Sequence, residues 1–93
     1  MTVETRNNEG RQRYELVVDG RVVGVTDYDV NDDTVVFPHT VVEPALRGQG
    51  LAGQLVGSAL DDVRETGRRV VPTCWYVRQF IDQHPEYRDL LAA

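Results

Sequence analysis

The sequence contains no lysine, because all ten of its basic residues are arginine. The absence of an ammonium side chain excludes a catalytic lysine, a Schiff base and a phosphate-binding loop of the Walker type. Positive charge is scarce overall: ten basic residues face 15 acidic ones, giving a net charge of -5 and a pI near 4.8. Such a surface repels phosphate backbones, so nucleic acid is not an expected partner. A nucleotide-like ligand stays open, since backbone amides bind phosphates without net positive charge.

Cysteine and long apolar stretches are also scarce. Cys74 is the one cysteine, so no internal disulfide can form. No apolar run approaches the roughly 18 residues of a membrane-spanning helix, and the polar N-terminus is unlike a signal peptide. These absences predict a cytoplasmic protein with no membrane partner. The length of 93 residues predicts a single domain over residues 1–93.

The first half of the chain has the alternating pattern of strands. The pattern predicts strands over Arg13–Val18, residues 21–28 and Thr34–Val42. Asp19-Gly20 is typical of a two-residue hairpin turn, and Pro38 indicates an edge or a bulge in the third strand. The polar residues before Arg13 predict a frayed end or a poorly committed strand start.

The second half begins with helical periodicity. Gly67 is a natural C-terminal stop for this helix. The apolar stripe of the helix consists of Leu51, Leu55, Val56, Ala59, Leu60 and Val63. The sequence then predicts a fourth strand over residues 69–73 and a helix over Trp75–Gln83. A last helical turn is predicted over residues 86–91. The order predicts an α+β fold, with a mainly antiparallel sheet of about four strands, a central helix and short C-terminal helices.

The most informative segment joins the third strand to the central helix, over residues 41–53. Gly48 and Gly50 let the backbone approach an anion without interference from a Cβ atom. The segment ends at a helix N-terminus, whose free amides carry partial positive charge. On the glycines alone, a phosphate cradle and a tight turn with purely structural glycines are equally open.

The same segment carries a family resemblance. Arg47-Gly48-Gln49-Gly50-Leu51-Ala52 matches the Arg/Gln-x-x-Gly-x-Gly/Ala signature of GNAT-type acetyl-CoA-dependent N-acetyltransferases. His39-Thr40 precedes it, Pro72-Thr73-Cys74 follows the next strand, and His84-Pro85-Glu86-Tyr87 comes later. This ordered set resembles a small single-domain GNAT-like family and covers roughly residues 33–87. The resemblance implies a minimal GNAT-like fold.

The resemblance also implies a ligand and its binding residues. Acetyl-CoA would be the co-substrate, and no metal would be needed. The backbone amides of residues 47–53 would hold the coenzyme A diphosphate, while the main chain of residues 41–43 would pair with the pantetheine arm. The implied cofactor-binding residues are Val41, Val42, Arg47, Gly48, Gln49, Gly50, Leu51, Ala52 and Gly53. The two central strands of this fold splay at that point and form a slot for the arm.

Three residues are candidates for the chemistry of acetyl transfer. Cys74 would lie near the thioester, as a nucleophile, as a proton donor or as a small buried residue. His39 is a general base near neutral pH or a core or edge histidine. Glu43 would order a water that deprotonates the amine, or simply face solvent. The acceptor amine is unidentified: a small amine, a polyamine, a protein lysine or a protein N-terminus.

The sequence departs from the pattern of full-size members of the family. Those enzymes place two helices between their first two strands and add strands at the C-terminus. Here Asp19-Gly20 closes the first predicted hairpin directly, and no strand is predicted after Cys74. The missing pieces ordinarily shape the acceptor pocket. The alternative to an N-acetyltransferase is therefore a non-catalytic module that binds coenzyme A or another protein. We expect a monomer or a homodimer.

Overall fold

The computed structural model describes residues 2–46 and 48–92, so Arg47 lies outside the described residues. Five strands and two α-helices follow one another along the chain. They are β1 (Val3–Asn8), β2 (Arg13–Val18), β3 (Arg21–Asn31), β4 (Thr34–Val42), α1 (Leu51–Thr66), β5 (Arg69–Val71) and α2 (Trp75–Gln83). Short 3-10 turns span Glu9–Arg11, Pro44–Leu46 and Pro85–Leu90.

The strands form one sheet in the order β1-β2-β3-β4-β5. The first four strands are antiparallel to their neighbours, and β5 is parallel to β4. The parallel pairing is short and joins residues 34–36 to residues 69–71. The predicted α+β fold with a mainly antiparallel sheet is confirmed, with five strands in place of about four.

The additional strand is β1, which the polar sequence predicted only as a frayed end or a poorly committed strand start. It pairs with β2 along its whole length, and the Asp19 amide donates to the Thr2 carbonyl at 2.9 Å. The Asp19-Gly20 turn therefore joins the second and third strands, while Glu9–Arg11 joins the first two. The prediction that Asp19-Gly20 closes the first hairpin was wrong, and the short connection between the first two strands is the turn Glu9–Arg11.

Both helices bury their apolar faces in one core. All six residues of the predicted α1 stripe are buried, and Gly67 ends the helix in the left-handed conformation. Helix α2 buries Val77, Phe80 and Ile81 in the same cluster. Among the described residues, no helix has both the length and the apolar character that a membrane crossing requires.

A bulge in β4 decides which side chains face the helices. Asp27 of β3 pairs with His39, whereas Asp29 pairs with Val36, so β4 holds one extra residue next to Pro38. An extra residue reverses the face on which the following side chains lie. Val42 is accordingly buried in the core, whereas Val41 is exposed. The interruption predicted at Pro38 is confirmed as a bulge.

The β2 strand also buries a carboxylate. Glu15 is 1 % exposed, although it is a charged residue that alternates with Tyr14 and Leu16 along the strand. Its carboxylate accepts hydrogen bonds from Nε of Arg6 and of Arg13, both at 2.8 Å, and from Asn8 Nδ2 at 3.1 Å. The hydrogen bond from Arg6 is the largest of several contributions that lower the pKa of Glu15 to about 2, against the opposing effect of burial.

Candidate active site

The site begins where β4 and β5 separate. Strand β5 ends at Val71, whereas β4 continues to Val42. The chain after β5 stays attached to β4 at one residue, because the Cys74 amide donates to the Phe37 carbonyl at 2.8 Å and the Thr73 hydroxyl donates to it at 3.3 Å. Within the described parts of the chain, no strand pairs with that side of β4 beyond Val36. A gap therefore opens between the end of β4 and the start of α2.

This gap is a groove of about 630 Å³. Its walls come from the end of β4, from the loop and first turn of α1, and from the start of α2. The lining residues are Thr40, Val41, Val42, Gly48, Gly50, Ala52, Gly53, Trp75 and Tyr76. Six of the nine residues that the resemblance implies for cofactor binding lie in this lining. Of the other three, Gln49 is exposed outside the lining, Leu51 is buried in the core and Arg47 is outside the described residues.

The loop at the groove requires glycine for conformational reasons. Gly48 and Gly50 have φ values of 85° and 76°, and a Cβ atom on either would meet nothing within 4 Å. Glycine adopts this left-handed conformation without the penalty that other residues incur. Gly50 is the N-cap of α1 and offers no side chain, so the first amides of this 16-residue helix have no side-chain acceptor from the cap. Such amides and the positive end of the helix favour an anion.

The spacing of Gly48, Gly50 and Gly53 also fits the Gly-x-Gly-x-x-Gly fingerprint of dinucleotide-binding domains. That fingerprint belongs to a parallel βαβ unit in a doubly wound sheet. Here the loop follows the fourth strand of a mostly antiparallel sheet. The fold context therefore excludes a dinucleotide-binding domain of the doubly wound type.

Cys74 is the N-cap of α2 and directly precedes Trp75, which lines the groove. The residue is 7 % exposed, and its thiol makes no capping hydrogen bond. Instead the thiol donates to Thr40 Oγ1 at 3.5 Å. Thr40 Oγ1 is in turn 2.9 Å from Oγ1 of Thr26, which is fully buried. Sequence reasoning did not identify these two threonine hydroxyls, although His39-Thr40 belonged to the motif.

His39 and Glu43 lie apart from Cys74. The bulge places exposed His39 on the opposite face of β4 from Thr40, so the structure does not bring His39 and Cys74 together on one face. Glu43 follows β4 and accepts two hydrogen bonds from Arg21, at 2.5 and 3.3 Å. This ion pair fixes the Glu43 carboxylate at the end of β4, beside the groove.

A second cavity, of about 550 Å³, adjoins the groove and shares Gly50, Gly53 and Tyr76 with it. It lies between α1 and α2. Gly57 of α1 faces α2 here, and a Cβ atom at this position would lie 3.5 Å from Cζ of Phe80, an ordinary van der Waals distance. The two cavities together form one continuous surface along the start of α1.

The segment His84-Pro85-Glu86-Tyr87 contributes three residues to the second cavity. The His84 ring stacks on Phe80 with a centroid distance of 4.0 Å. The Tyr87 hydroxyl donates to Asp61 at 2.9 Å. Burial makes the largest contribution to raising the pKa of Tyr87 to about 12, and the hydrogen bond to Asp61 makes the next largest. Across the described residues, no group of three or more histidine, cysteine, aspartate or glutamate side chains is arranged to hold a metal ion.

Known proteins match both the sequence and the fold. Protein NATD1 of Bos taurus is 33 % identical over 86 residues, which cover 89 % of this chain and 75 % of that protein. A GCN5-like putative N-acetyltransferase from Staphylococcus aureus, solved by NMR, superimposes with a TM-score of 0.74 at 18 % identity, covering 97 % of this chain and 88 % of that one.

A GNAT family acetyltransferase from Brucella melitensis, solved in complex with acetyl-CoA, superimposes with a TM-score of 0.58 at 23 % identity. The match covers 73 % of this chain and 50 % of that one, so this chain spans about half the length of that enzyme. The two structural matches show a shared fold. The sequence profile of the family described as GCN5-related N-acetyl-transferase matches residues 13–90, which is most of the chain. The chain therefore belongs to the GCN5-related N-acetyltransferase family.

Proposed function

We propose that this protein binds acetyl-CoA in the groove between β4 and α2 and transfers the acetyl group to an amine. One observation carries the proposal: six of the residues implied for cofactor binding line a single groove where β4 and β5 diverge. The related fold from Brucella melitensis, which was solved with acetyl-CoA, supports the choice of ligand.

The described lining of the groove contains no arginine side chain, so backbone amides would have to bind the phosphates. The amides after Gly50 and the positive end of α1 suit the diphosphate. The edge of β4 that β5 leaves uncovered suits the amides of the pantetheine arm, which would bind there as an added strand does. Trp75, which is 74 % exposed, offers an apolar surface over the arm.

Acetyl transfer requires a deprotonated amine and a stabilised leaving thiolate. The amine nitrogen attacks the carbonyl carbon, the carbon–sulfur bond breaks, and the sulfur of coenzyme A keeps the electron pair. We assign Cys74 as the proton donor to that sulfur. We assign His39 as the base that takes the amine proton, because it is exposed on the other face of β4, from which the acceptor would approach. Glu43 is held by Arg21 and would order water beside the loop.

A turnover assay tests the proposal. The protein is incubated with acetyl-CoA and, in separate reactions, a small amine, a polyamine, a lysine-containing peptide and a peptide with a free N-terminus. Release of free coenzyme A that depends on one of these acceptors supports the transferase. His39→Ala should lower kcat and leave acetyl-CoA affinity unchanged, since His39 does not line the groove. Intact-mass measurement after acetyl-CoA alone checks whether Cys74 instead carries the acetyl group.

One observation favours a second candidate, a non-catalytic module that binds coenzyme A. The first two strands are joined only by the three-residue turn Glu9–Arg11, where full-size members have two helices. Beyond α2, the described chain adds only a single bridge between Leu91 and Val70 to the sheet. At these two places the described residues form no α-helix or strand that would surround an acceptor. Tight acetyl-CoA binding in a calorimeter, combined with no coenzyme A release for any amine, would favour this module.

A further inference from the structure

Three side chains from three elements form a hydrogen-bonded chain at the end of the groove. Thr26 of β3 and Thr40 of β4 are register partners, and their hydroxyl oxygens are 2.9 Å apart. Thr40 is also the acceptor of the Cys74 thiol at 3.5 Å. Thr26 is 0 % exposed and Cys74 is 7 % exposed, whereas Thr40 lines the groove. Thr40 is therefore the link between a buried hydroxyl, the thiol and the ligand space.

The arrangement depends on two irregular features of the backbone. The β4 bulge next to Pro38 places Thr40 on the helix side of the sheet, where a regular strand would have placed His39. The hydrogen bond from the Cys74 amide to the Phe37 carbonyl then holds Cys74 against β4. The thiol leaves the end of α2 uncapped and turns to Thr40 instead.

We propose that Thr40 is a positioning residue that sets both the orientation of the Cys74 thiol and its readiness to release a proton. A hydroxyl has one donor and two acceptor positions, so it can serve the sulfur in both protonation states. With the neutral thiol, Thr40 accepts from sulfur and donates to Thr26. When the thiol loses its proton, Thr40 donates to the sulfur, and Thr26 donates to Thr40.

Thr26 supports Thr40 in its hydrogen bond to the Cys74 sulfur. Because Thr26 is fully buried beside Thr40, its hydroxyl keeps the Thr40 oxygen in place while the Thr40 proton changes direction. A nearly buried sulfur anion without such a donor would be strongly disfavoured. The effect on the thiol stands by itself, while its consequence for acetyl transfer rests on the proposed function.

The single cysteine allows a direct test without any ligand. Cysteine carrying an isotope label at Cβ gives one NMR signal, whose position follows the protonation of Cys74 as pH is varied. Thr40→Val keeps the shape of the side chain and removes the hydroxyl, and it should raise the midpoint by roughly 1–2 pH units, the range expected for losing a hydrogen bond to a charged group. Thr40→Ser should restore the wild-type midpoint to within a few tenths of a unit.

Two further variants make the outcome decisive. Thr34→Val is the matched control, because Thr34 is at the other end of β4 and its hydroxyl donates to the Asn31 carbonyl, away from the groove. It should leave the midpoint unchanged. Thr26→Val should shift the midpoint upward by less than Thr40→Val does, and it replaces that variant as the test if Thr40→Val does not fold. An unchanged midpoint in the folded variant overturns the proposal.

The proposal and the transferase function can fail separately. A midpoint shift with no turnover in the wild-type protein supports the role of Thr40 and contradicts the transferase. If turnover is found, Thr40→Val should lower kcat about tenfold or more, because a thiol with a higher midpoint is a weaker proton donor, and the loss of kcat at high pH should move upward with the new midpoint. Turnover with an unchanged midpoint in both threonine variants would keep the transferase and reject the role of Thr40.

Discussion

The two glycines that flank α1 provide a matched pair for testing the phosphate loop. Gly50 precedes the helix with φ 76° and ψ 5°, and Gly67 follows it with φ 76° and ψ 6°. A Cβ atom on either would meet nothing within 4 Å. Substitution by alanine should therefore lower the free energy of unfolding by the same amount at both positions, about 1–2 kcal/mol, because a residue with a Cβ atom is disfavoured in the left-handed conformation. For a domain of this size that loss lowers Tm by about 4–8 °C per kcal/mol, measured by thermal unfolding.

Glutamate at the same two positions separates ligand binding from backbone strain. Two charges about 4 Å apart interact by about 1 kcal/mol in water and about 4 kcal/mol at an effective dielectric constant of 20. Gly50→Glu would place its charge at the proposed diphosphate site and should weaken acetyl-CoA binding at least tenfold. Gly67→Glu lies at the other end of a 16-residue helix, roughly 24 Å away and well beyond the Debye length of about 8 Å.

Isothermal calorimetry with acetyl-CoA is the assay for the glutamate pair. The expected result is a wild-type affinity for Gly67→Glu and a loss for Gly50→Glu, with both variants folded by circular dichroism. A wild-type affinity in both variants would refute the assignment of the loop to phosphate. An equal loss in both would trace the effect to helix stability and not to the ligand site.

Three further predictions concern single residues. Folding lowers the pKa of Glu15 to about 2, so the ionised carboxylate stabilises the wild type above about pH 4.5, and this stabilisation is lost as pH falls toward about 2. Glu15→Gln should remove this pH-dependent part of the free energy of unfolding, as measured by denaturant unfolding across this range. Identical pH profiles for the variant and the wild type would contradict the prediction. Gly57→Ala should stabilise the protein by about 0.5–1 kcal/mol, since a Cβ there makes ordinary contact at 3.5 Å with Phe80 and helix propensity improves; a lower Tm would show that α2 cannot accommodate the methyl group. Trp75→Ala should change Tm little, because Trp75 is 74 % exposed, yet weaken acetyl-CoA binding; unchanged affinity in calorimetry would remove Trp75 from the site.

Local patterns in the sequence predicted the elements that have strong periodicity. The α1 stripe is buried as expected, and strands β2 and β4 and helix α2 have the predicted bounds. Part of the glycine-rich segment lines one groove, and Cys74 adjoins that groove through its hydrogen bond to Thr40, while the roles that the resemblance implies for these residues stay predictions. Each of these features depends on residues that are close together in the sequence or on the ordered set of short motifs that carries the resemblance.

The features that were missed depend on contacts between distant residues. Strand β1 is polar, and its pairing with β2 supplies the order that its own composition does not. Glu15 is buried because Arg6 from β1 covers it together with Arg13. The bulge at Pro38 was foreseen as one alternative, but its effect on the faces of His39 and Thr40 required the register against β3. The hydroxyl chain from Thr26 to Cys74 follows from that register.

An NMR titration shows directly whether the groove between β4 and α2 binds acetyl-CoA. Backbone amide signals are followed as acetyl-CoA is added to the wild-type protein. If acetyl-CoA binds there, saturable shifts are expected at Gly48, Gly50, Gly53 and Trp75, which line the groove, and none at Gly67, at the far end of α1. No shift at millimolar acetyl-CoA, or shifts confined to residues outside the groove, would contradict it.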